Sequence, residues 1–115
     1  MKKLPKRYRV PDGKRFSIIT DKMDRCIICG RRVYTDTDDL FRRRHLHEIF
    51  GGTGRRELSK YYGLVVPLCY ECHEGDDGVH KNRVYDIALK EEGQKAFEEH
   101  YPDEDFLEVF GRNYL

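Results

Sequence analysis

Two Cys-x-x-Cys pairs, Cys26 with Cys29 and Cys69 with Cys72, take up every cysteine of the chain. Thiolates spaced this way turn both sulfurs inward on one tight loop, and two such loops satisfy a tetrahedral metal ion, zinc above all. Close to the pairs stand His45, His47, Glu48, His73 and His80, so four of the five histidines fall between positions 45 and 80. Imidazoles carried on elements that a metal-tied knuckle makes rigid can hold a second metal site. If one side stays open, such a site can bind a phosphate oxygen and offset the charge developing on the leaving oxygen of a phosphodiester.

The elements that would position these groups can be read around them. The 39 residues between Cys29 and Cys69 exceed the ~15–20 of a compact zinc ribbon, which predicts a folded insertion between the knuckles. Phe16 to Thr20 alternates weakly and predicts a short strand into the first knuckle, with Arg31 to Tyr34 returning as the second half of a small hairpin. Phe41 to Phe50 is expected to run extended, which places His45 and His47 on one face and Glu48 on the other. Gly51-Gly52 then breaks the chain. Thr53 is expected to cap a helix through Tyr62, ended by Gly63, and Leu64 to Leu68 reads as a buried strand that delivers Cys69. Asn82 is expected to cap a helix to about Glu99, buried on Val84, Ile87, Ala88 and Phe97. A last short helix from near Pro102-Asp103 presents Phe106, Val109 and Phe110 inward and stops at Gly111.

The bulk composition sets the frame. A chain of 115 residues predicts one domain over 16–115 behind a basic flexible arm over 1–15, with a helical C-terminal segment over 82–111. Charged residues make up 37% and the mean hydropathy is −0.82, so a structural metal would supply stability that a modest core does not. The net charge of +1 hides segregation: residues 1–15 carry seven Lys or Arg against Asp12, residues 41–60 six against Glu48 and Glu57, and residues 86–108 nine Asp or Glu against Lys90 and Lys95. A basic arm and a basic centre suit a polyanion, because each neutralised phosphate releases a counterion. No stretch approaches the ~18 apolar residues of a membrane span, and the basic start is followed by no apolar run, which predicts a soluble cytoplasmic protein whose cysteines are thiolate ligands rather than disulfides.

The strings CIICG, HLHEIFGG and GLVVPLCYECH, followed by GVH and a helix, resemble the HNH endonucleases of the ββα-metal superfamily. The likeness is to the small phage and prophage HNH proteins in particular, and runs from about residue 23 to the closing FGRNYL. It implies an α+β fold: a ββα-metal (HNH) core stapled by a four-cysteine zinc site, with C-terminal helices. It also implies metal-dependent hydrolysis of DNA phosphodiester bonds in a bacterial cell or phage-infected host. Cys26, Cys29, Cys69 and Cys72 match the zinc staple. His47 falls where the family places its first metal ligand, Glu48 where it usually has the water-activating histidine, and His73 at the final ligand. The family's middle asparagine has no counterpart, since no Asn lies between Ile49 and Cys72.

On this resemblance the catalytic set is His47, Glu48 and His73, with Mg²⁺ or another divalent ion held by His47 and His73. His80 completes the metal sphere or contacts phosphate. The general base is Glu48 or, where Glu48 ligates, His45 or His47. Arg43, Arg44, Arg55 and Arg56 are the expected DNA contacts. The alternative is a zinc-stapled DNA-binding or adaptor module without catalysis, and a third reading is a protein-interaction domain that uses the acidic C-terminal helices.

Overall fold

The computed structural model describes residues 14–115; the basic arm expected over 1–15 lies, but for Lys14 and Arg15, outside the described residues. Those residues form a small α+β fold with a two-stranded sheet and four helices. In chain order they are β1 (His45–Glu48), α1 (Arg55–Tyr62), β2 (Val65–Leu68), α2 (Tyr70–Glu74), α3 (Arg83–His100) and α4 (Phe106–Phe110). β1 and β2 are antiparallel, with His45 opposite Leu68 and His47 opposite Val66. Pro67 has no N–H to give to a ladder, and its carbonyl instead accepts from Ile27 N at 2.9 Å, docking the first knuckle against β2.

The turn between the strands is built by α1. Gly54, at φ 82°, is its N-cap with no side-chain hydrogen bond, so the cap lies one residue beyond the Thr53 expected from sequence. At the other end Gly63, at φ 75°, closes a Schellman turn in which Leu64 N reaches Ser59 O at 2.7 Å. A Cβ at Gly63 would also run into the Phe16 ring. The buried Ser59 hydroxyl accepts from Phe50 N at 3.1 Å and donates to Phe50 O at 2.8 Å, fastening α1 to the chain just beyond β1.

Three further sequence expectations are corrected. Phe16 to Thr20 is not a strand: Ser17 Oγ accepts from Ile19 N and Thr20 N at 3.1 and 3.4 Å, a local turn that competes with ladder pairing. Arg31 to Tyr34 makes isolated bridges only, Arg32 to Arg25 and Tyr34 to Arg43. Within α3, Val84 is 74% and Ile87 38% exposed, whereas the buried face is Leu89, Gly93, Gln94 and Phe97. The helix is phased on Gly93, where a Cβ would meet Phe50 and Ile49 side-chain atoms at 3.1–3.2 Å. This glycine costs helix propensity but lets α3 lie directly on the residues that follow β1.

The core is one cluster in which Phe50 meets Phe106 and Phe110 with ring centroids 5.1 and 4.7 Å apart, and Tyr62 meets Phe97 at 5.1 Å. Buried Gln94 ties the C-terminus down: its Nε2 donates to Asn113 Oδ1 and its Oε1 accepts from Tyr114 N, both at 2.7 Å. Among the described residues no helix is long and apolar enough to cross a membrane.

Candidate metal centres

The two knuckles meet through the sheet. Cys26 and Cys29 sit on a turn closed by Gly30 N to Cys26 O at 2.9 Å, with Gly30 at φ 77°, and Cys69 caps α2, which carries Cys72. All four sulfurs lie within 4.8 Å of one another. The Cys29 and Cys69 sulfurs are 3.7 Å apart, against ~3.8 Å for the edge of a tetrahedron with ~2.3 Å zinc–sulfur bonds. That separation is far beyond a disulfide bond of ~2.05 Å. Burial raises the Cys26 thiol, but backbone N–H groups of Cys29, Cys69 and Ile28 outweigh it and hold the group below its ordinary value. Burial, and with it the neighbouring cysteine sulfurs, pushes the Cys29 and Cys72 thiols up. The four cysteines are poised to hold a metal ion, and the donor set is consistent with structural zinc.

A second cluster lies beside the first. His47 from β1, His73 from α2 and His80 from the loop after α2 bring their ring nitrogens within 4.8 Å of one another. The His47 ring centroid is 5.4 Å from that of His73 and 5.2 Å from that of His80. His73 Nε2 and His80 Nε2 are 2.9 Å apart. That is the spacing of an N–H···N hydrogen bond, and equally of two ligands bound cis to one ion at ~2.0–2.1 Å. Burial, then the neighbouring His73 and His80, lower the His47 imidazole to about 4, and burial followed by His80 lowers His73. Both rings are therefore neutral at pH 7, the form in which imidazole ligates metal. His47 Nε2 is buried with no hydrogen-bond partner among the described residues, a condition that an ion bound there would relieve. The residues present thus fit a divalent ion, and an all-imidazole set favours borderline ions such as Zn²⁺, Ni²⁺ or Co²⁺ over Mg²⁺.

His47, His73 and His80 open on a cavity of about 670 Å³ that Glu48, Arg56, Lys81, Arg83, Asp86 and Lys90 also line. Asp86 pairs with Lys90 at 2.9 Å, and Lys81 Nζ sits against Asp76 at 4.0 Å and Glu74 O at 3.5 Å. Glu48 lines the same cavity, and its carboxylate lies 3.7 Å from Lys60 Nζ. Of the pair at the head of α1, Arg56 lines the cavity, whereas Arg55 Nε donates to Phe110 O at 3.0 Å. Arg43 and Arg44 precede β1 outside the cavity lining; Arg43 donates to Thr37 O at 3.3 Å and Arg44 to Met23 O at 3.5 Å.

Lys81, Arg83 and Lys90 are cavity residues that sequence reasoning did not single out. Their signal was the Asn82 cap: a helix starting eleven positions after Cys72 brings its first turns close to His73. The fifth histidine, His100, ends α3 and belongs to neither cluster. No protein-family model, no curated protein and no solved structure matches the chain.

Proposed function

We propose that this protein is a metal-dependent DNA endonuclease of the HNH type, in which β1, β2 and α2 form the ββα-metal element and the four cysteines, filled by zinc, staple it. The observation that carries the reading is three convergent imidazoles facing a cavity whose rim bears Arg56, Lys81, Arg83 and Lys90. Such a site matches a phosphodiester in both respects: the cationic side chains hold its phosphates, and the imidazoles hold the metal.

In this reading His47, His73 and His80 bind the catalytic ion, which when present polarises the phosphate and offsets charge on the leaving oxygen. Arg56 and Arg83 hold flanking phosphate oxygens. Glu48, on the rim of the same cavity, accepts the proton of the attacking water, and the Lys60 ammonium beside it fixes the direction of its carboxylate. The test is nicking of supercoiled plasmid by zinc-loaded protein across Mg²⁺, Mn²⁺, Co²⁺ and Ni²⁺. His47→Ala and His73→Ala should each abolish nicking while the cysteine site keeps its zinc, and wild-type protein that leaves the plasmid intact with all four ions refutes the proposal.

The Glu48–Lys60 ion pair favours a second reading, in which the carboxylate is structural and the chain is a zinc-stapled DNA-binding module without catalysis. This reading predicts salt-sensitive DNA binding that no divalent ion converts to cleavage.

A further inference from the structure

We infer that His45 is a positioning residue, fixing His73 in the tautomer that turns a bare ring nitrogen toward the ion site shared with His47 and His80. The inference rests on the ion-binding part of the function proposed above. Its root is that both nitrogens of His73 face another imidazole: Nδ1 lies 2.9 Å from His45 Nδ1, and Nε2 lies 2.9 Å from His80 Nε2.

A neutral imidazole carries one N–H and one lone pair, so His73 donates in one of these contacts and accepts in the other. Its Nε2 can ligate beside His80 only when the proton is on Nδ1. The acceptors within reach of that proton are His45 Nδ1 and, at 3.3 Å, Glu74 Oε1. Glu74 is an exposed side chain, whereas His45 is partly buried on β1, two residues before His47 on the same strand face, with its ring against Tyr70 at 5.9 Å. The strand that supplies one ligand thereby orients another ligand from the helix.

The arrangement has a cost that marks it as more than packing. With His45 Nδ1 accepting, its proton sits on Nε2, which is buried without a hydrogen-bond partner among the described residues. Buried groups left unpaired in this way are rare and call for an explanation. Outer groups that orient metal-bound histidines typically tune ion affinity by about 10–100-fold.

The probe is Co²⁺, titrated into protein whose cysteine site is kept full of zinc and followed by its visible absorption; absence of sulfur-to-cobalt bands confirms that the cysteines retain zinc. His45→Leu removes the acceptor, and His45→Asn restores one near the Nδ1 position. The expected result is one Co²⁺ per wild-type chain, affinity weakened about 10–100-fold in His45→Leu, and affinity close to wild type in His45→Asn. Equal affinity in wild type and His45→Leu overturns the inference, as does His45→Asn binding as weakly as His45→Leu. Two Co²⁺ per wild-type chain, one of them lost in His45→Leu, also overturns it, because His45, His73 and Glu74 would then be ligands themselves. If wild type binds Co²⁺ nowhere outside the cysteines, the imidazole centre itself fails, a result distinguishable from the others. Stoichiometric zinc in each variant confirms that it folds.

Discussion

His47 concentrates the chemistry of the chain in one side chain. Burial lowers its imidazole to about 4 from an ordinary 6.5, so between these values the unfolded chain binds more protons than the fold. Stability that depends on a neutral His47 is complete above pH 6.5 and declines as pH falls toward 4; the lowered His73 adds in the same direction. With zinc on the cysteines and no other ion, denaturant unfolding should show wild type losing about 2 kcal/mol more than His47→Gln between pH 7 and pH 5. Equal losses would show that His47 is not held neutral by the fold. At this scale the sequence was informative about residue type and less so about partnership. Cys26, Cys29, Cys69 and Cys72 announce themselves by spacing, and His47 and His73 by proximity to the knuckles. The contact between His45 and His73 depends on the angle at which α2 leaves β2, which no local pattern encodes.

The elements matter through the way they fix β1. Ser59, buried on α1, pairs with both backbone groups of Phe50, two residues past Glu48. Ser59→Ala leaves a buried N–H and a buried carbonyl unpaired, and should cost about 1–3 kcal/mol by denaturant unfolding. A loss below about 0.5 kcal/mol would mean that β1 is anchored elsewhere. The order of strand, helix, strand and knuckle between His45 and Cys72 was legible because glycines punctuate it: Gly51-Gly52 before α1 and Gly63 after it. The Phe16 to Thr20 strand failed because Ser17 offers its backbone neighbours a closer partner than any strand. The face of α3 was misjudged because its apolar residues mark two stripes. Val84 and Ile87 lie on the stripe left exposed, and only the close approach of Phe50 to Gly93 selects the other.

For the whole molecule, the division of labour is between an aromatic core packed by the C-terminal helices and a cysteine-bearing end beside the cavity. The core gathers Phe50, Tyr62, Phe97, Phe106 and Phe110, while the knuckle end contributes few fully buried side chains of its own. Metal on four thiolates is worth an apparent ~10–16 kcal/mol in small domains, comparable to the ~5–15 kcal/mol net stability of a whole domain. Chelation of the cysteine-bound metal should therefore unfold the knuckles and β1 together, seen as loss of amide exchange protection from Cys26 through Val79. Protection unchanged after verified metal removal would contradict a stapling role. The charge segregation seen in sequence does not by itself build the cavity rim: of the basic centre Arg56 lines it, whereas Lys81 and Arg83 come from outside the basic segments and Lys90 from the acidic one. The measurement that bears most directly on the proposed activity is plasmid nicking by zinc-loaded wild type and His73→Ala, side by side in Mn²⁺ and Co²⁺. Nicked circles are expected from wild type and none from the variant, with zinc on the cysteines of both. Intact plasmid from both proteins, or equal nicking by both, would contradict the proposed activity.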